Sequence, residues 1–89
     1  MTREQQLLKI IEIGDRFQVI LENEAFRDTV KSTEQRIKTE WQEAQTTEER
    51  ESKWYLLQAL TMLLTELRMP VTEKYLATRQ LQKLTDNDE

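Results

Sequence analysis

Punctuation is almost missing from this chain: one glycine and one proline in 89 residues. A β-sandwich or barrel needs turn residues at every hairpin. Two such residues cannot supply them. Most other positions hold strong helix formers: Glu, Gln, Lys, Arg, Leu, Ala and Met. The chain is therefore expected to be all-α and to form one domain.

Hydrophobic spacing divides it into four segments. From Thr2 to Leu21, the residues Leu7, Ile10, Gly14, Phe17 and Leu21 recur at alternating intervals of three and four, a heptad-like seam of the coiled-coil kind. Ile11, Ile13, Val19 and Ile20 widen the apolar surface, so this helix can face two neighbours. Gly14 costs about 1 kcal/mol against Ala inside a helix. It either admits the close approach of another helix or marks a kink.

The second segment starts at Asn23, a good N-cap, with Glu24 placed to complement the helix dipole. Phe26, Val30, Thr33, Ile37, Trp41 and Ala44 make a thin apolar stripe on an otherwise charged helix. In the polar stretch from Gln45 to Glu49, Thr46 and Glu49 have capping-box spacing. A turn this short predicts an antiparallel hairpin. The third segment, from Thr47 to Met69, carries the densest apolar stripe: Trp54, Leu57, Leu60, Leu64 and Leu67, widened by Tyr55, Ala59, Met62 and Leu63.

Pro70 lacks an N–H and disfavours helical geometry at Met69, which predicts a kink or break there. A short fourth helix from Thr72, using Tyr75, Leu76, Leu81 and Leu84, should follow. Residues 1–85 are read as a single helical domain, and 86–89 as a frayed acidic tail. The expected fold is a helical hairpin or small bundle of three long helices plus a short C-terminal helix after Pro70. The core is assigned to Phe26, Val30, Ile37, Trp54, Leu57, Leu60, Leu64 and Leu67.

Apolar residues are 37% and charged residues 34% of the chain, and there is no cysteine. Domains of this size are marginal when alone, and those without disulfides or metals often rely on oligomerisation. Leu7, Ile10, Gly14, Phe17, Trp41 and Tyr75 are accordingly the candidate interface residues. Trp and Tyr are frequent interface anchors, and Trp41 stands on the most polar helix. The competing reading makes each aromatic a core residue.

Several function classes lack their chemistry. Without histidine, the commonest general base and metal ligand is missing. Without cysteine there is no thiolate chemistry, and one glycine cannot build a phosphate loop. Glu48, Glu49 and Glu51 are accounted for by a helix N-terminus, and Glu40 and Glu43 by a solvated face. No enzymatic activity, metal or cofactor is expected.

The net charge is −4. Three of the acids lie in 86–89, so the body is near neutral with both signs mixed. No basic stripe serves nucleic acid, and arginines such as Arg27, Arg36 and Arg16 have acidic neighbours at helical spacing. The most apolar stretch, from Trp54 to Leu67, is too interrupted to cross a membrane. No run resembles a signal peptide. Nucleic acid, membrane and small-molecule substrate are not expected partners.

Leu21-Glu22-Asn23-Glu24-Ala25-Phe26, then Trp41, then a Thr-rich turn and Glu49-Arg50-Glu51-Ser52-Lys53-Trp54, then Tyr75-Leu76-Ala77-Thr78-Arg79-Gln80-Leu81, form a recognisable order. Over about residues 20–82 it resembles short helical proteins encoded in the head and packaging gene region of tailed bacteriophages. Near Met69-Pro70-Val71-Thr72 the chain departs from them, with proline where a glycine-containing turn is usual. The resemblance implies a non-enzymatic virion or assembly component that forms homo-oligomers or docks on capsid, portal or tail proteins, in the virion or the host cytoplasm. It carries no assigned functional residues. The alternative is a small phage-encoded inhibitor of a host enzyme or defence complex.

Overall fold

The computed structural model describes residues 1–87. Among them are three helices and no strands: α1 (Arg3–Glu22), α2 (Glu24–Glu43) and α3 (Thr47–Asn87). The all-helical reading therefore holds at the level of fold class.

Each helix start has its own cap. Thr2 Oγ1 accepts from the Gln5 N–H, and Gln5 Oε1 accepts from the Thr2 N–H, a reciprocal capping box. Asn23 Oδ1 accepts from the Phe26 N–H at 2.9 Å. Thr46 Oγ1 accepts from the Glu49 N–H at 3.1 Å, while the Glu49 carboxylate reaches back to the Gln45 N–H at 3.0 Å. Both helix breaks use extended backbone, at Asn23 (φ −64°, ψ 125°) and at Ala44 (φ −61°, ψ 132°). No described residue has positive φ. Breaks of this kind need no glycine, which is how so unpunctuated a chain can end two of its helices.

The chain forms two compact units. The first joins residues 1–21 to α3 from Glu66 onward. α1 runs antiparallel to that part of α3: Arg3 donates to Gln80 at 2.5 Å, and Lys74 meets Asp15 and Gln18, each at 2.6 Å. Leu7, Gly14 and Ala77 are buried in this unit. The second unit, Glu22–Thr65, is the expected hairpin of α2 and the start of α3. Ile37 is buried, and Phe26, Val30, Leu57, Leu60 and Leu64 are half-buried. Lys53 bridges to Glu40 at 2.8 Å.

One expectation fails. The short C-terminal helix after Pro70 does not exist as a separate element, because α3 passes through Pro70 and continues to Asn87. Pro70 cannot donate to the carbonyl of Glu66, but it removes only that one bond from the ladder. Glu66 is exposed, so water can serve its carbonyl. On either side Leu67, Val71 and Ala77 are half-buried or buried, and that packing holds both flanks helical. Of the predicted acidic tail, Asp86 and Asn87 fall within α3, and residues 88–89 lie outside the described residues.

Hydroxyl residues inside the helices are accommodated in one recurring way. Thr29, Thr61, Thr65, Thr78 and Thr85 each donate to the carbonyl four residues earlier. A β-branched polar residue can sit on a helix in this way without an open donor.

Candidate interaction surfaces

Two helices in contact have no third wall, so only residues at the middle of their seam lose all contact with water. The buried hydrophobic residues are Leu7, Ile37 and Ala77. Large apolar side chains remain exposed in both units.

The sequence-derived interface residues divide into two groups. Leu7 is 1% exposed and Gly14 is buried, with Ile10 and Phe17 half-buried beside them. This seam is covered by the chain's own α3 and is not open to a partner. The ambiguity at Gly14 is resolved in favour of close approach. A Cβ placed there would lie 2.7 Å from the carbonyl oxygen of Pro70 and would collide with the Lys74 side chain. The pairing of Gly14 with Pro70 thus sits inside the first unit, and neither residue works as a turn.

Trp41 and Tyr75 are exposed, at 38% and 55%. Tyr75 stands beside the Lys74 ammonium, which is 5.7 Å from its ring centroid. In the second unit Trp41 lines a shallow recess with Thr47, Arg50, Glu51 and Trp54. Trp54, expected in the core, is 47% exposed, and its ring meets Tyr55 edge-on at 5.3 Å. It lies off the seam because Lys53 and Leu57 take the positions facing α2, leaving Trp54 to one side. The remaining core assignments are buried or half-buried.

One exposed apolar surface of the second unit was legible only as a widening of the α3 stripe. Tyr55, Leu56, Met62 and Leu63 are all exposed, with Ala59 between them. The signal lay in spacing: 55, 59 and 62, and 56, 59 and 63, are two further helical rows beside the Leu57–Leu60–Leu64 row. A single helix carrying both sets is apolar on opposite sides, which one neighbour cannot cover.

Among the described residues there is no cluster of acidic side chains able to hold a metal ion and no buried side-chain polar atom without a partner. No described helix is long and apolar enough to cross a membrane. Glu40 is clearly shifted: the Lys53 hydrogen bond and charge hold its carboxyl below the usual glutamate value of 4.5. This is the ion pair that joins α2 to the start of α3. No family model, curated protein or solved structure matches the chain.

Proposed function

We propose that this chain is a non-enzymatic assembly protein that packs by helix–helix contacts against copies of itself or against larger structural proteins. The observation that carries the reading is the pair of apolar sides on α3. One side is used within the chain, and the other exposes Tyr55 (64%) and Met62 (68%) together with Leu56 and Leu63. Contiguous exposed apolar surface of this kind marks interaction sites. The resemblance to phage head and packaging-region proteins supplies the setting: a virion component, or a factor acting during particle assembly in the host cytoplasm.

Native mass spectrometry and sedimentation across a dilution series test the self-association. Quantification of the chain in purified particles tests the virion role. The expected result is an oligomer in solution, or a defined copy number in particles. A chain that stays monomeric, is absent from particles and is recovered on a single host protein would replace this reading with the host-inhibitor alternative.

A further inference from the structure

We propose that α1 is a detachable strap on α3: docked, it keeps α3 helical through Pro70; released, it lets α3 end at Met69 while the second unit stays folded.

Pro70 makes the helix beyond it conditional. Proline removes a donor, crowds the preceding turn and disfavours helical backbone at Met69. A helix crosses such a residue only where tertiary contacts outweigh the local cost. From 71 to 86, the positions that are not exposed are Val71, Lys74, Ala77, Thr78 and Leu81. Their helical spacing places them on a single face. Residues 1–21 and α3 from Glu66 onward form one compact unit, and α1 supplies the contacts there. Gly14 lies against the Pro70 carbonyl, Asp15 and Gln18 hold Lys74, and Arg3 reaches Gln80. A free helix of this length is marginal in water, because most helical stability in proteins comes from packing. Without α1, residues 71–87 keep neither that packing nor an unbroken hydrogen-bond ladder to the turn before them.

The second unit carries its own start signal. Asn23 caps α2 through the Phe26 N–H and is itself extended, so α1 can leave without uncapping α2. Buried Ile37 and the Lys53–Glu40 bridge also lie within Glu22–Thr65. What docked α1 hides is apolar: Leu7 is buried, and Ile10 and Phe17 are half-buried. Release therefore uncovers an apolar seam and shortens α3 in one step.

Hydrogen–deuterium exchange of the full chain, resolved by peptide, tests this. In wild type, α1 and residues 71–87 should share one level of protection, at least about tenfold below that of 47–65. Gly14→Val places a branched side chain where a Cβ already collides with Lys74 and crowds the Pro70 carbonyl. It should speed exchange in α1 and in 71–87 alike by at least about tenfold, and in 24–65 by less than about twofold. Protection of 24–65 then shows that the variant is folded. Pro70→Ala should slow exchange in both α1 and 71–87 by at least about fivefold, because coupling acts in both directions. Equal protection of the two units in wild type would overturn the proposal. So would a Gly14→Val chain that exchanges faster evenly along its length, frees α1 while 71–87 stay protected, or matches wild type. Exchange of α1 left unchanged by Pro70→Ala would overturn it as well.

Discussion

Gly14 shows how one residue can reverse the ordinary propensity rule. Alanine in a helix interior gains about 1 kcal/mol over glycine. Here the added methyl would press on the Pro70 carbonyl and on Lys74, and the carbonyl belongs to a helix backbone that cannot easily yield. Gly14→Ala is therefore expected to destabilise the first unit by about 1–3 kcal/mol, as overpacking of a tight contact does. Urea unfolding would measure it, and a stabilised variant would mean that α1 and α3 can move apart without loss. Lys53 and Glu40 make a second residue-scale case. The glutamate's folded value lies below its unfolded one, so its contribution is present above the ordinary glutamate value of 4.5 and is lost as pH falls through the folded value. Wild type should lose more melting temperature on acidification across that range than Glu40→Gln does. Parallel pH profiles would show that the bridge contributes nothing.

At the scale of elements, α3 is the unusual member. It contains proline in its interior and still runs unbroken from Thr47 to Asn87. The local rule that predicts a break at Pro70 is sound as far as it goes, since proline removes a donor and crowds the preceding turn. Packing on both sides outweighs it. Pro70→Ala restores the donor to the Glu66 carbonyl and keeps the Pro70 carbonyl position beside Gly14, so it should raise stability by up to about 3 kcal/mol. A neutral or destabilising result in thermal melts would show that the proline ring itself packs in the first unit. The break between α1 and α2 is a one-residue device, and Asn23→Ala should cost about 1 kcal/mol through the lost cap to the Phe26 N–H.

For the whole molecule, the governing quantity is how little apolar surface the single chain can hide. Among the described residues, three buried hydrophobic side chains and an open row on α3 leave much of the hydrophobic stabilisation unused until something covers that row. If copies of the chain cover it, folding and association are linked, and melting temperature should rise with protein concentration. Scanning calorimetry over a hundredfold dilution series would detect this, and a melting point independent of dilution would contradict it. With its exposed apolar rows and a sequence pI near 4.9, the chain should also be least soluble near that pH, where charge no longer keeps copies apart. Turbidity against pH is the check.

The sequence by itself determined the helical class, the caps at Asn23 and Thr46 and the hairpin of the second unit. These are properties of local composition and of spacing within one helix, where neighbours in sequence are neighbours in space. The capping box of Thr2 and Gln5 was legible by the same rule, although the first segment was read only from its apolar seam. Only the tertiary structure decided that Leu7 and Gly14 belong to the inside of the first unit, that Trp54 lies beside its seam instead of in it, and that α3 survives Pro70. Each of these depends on which side of a helix meets another. A helix apolar on two sides does not say which one its own chain will cover, because that choice is set by packing between residues far apart in sequence.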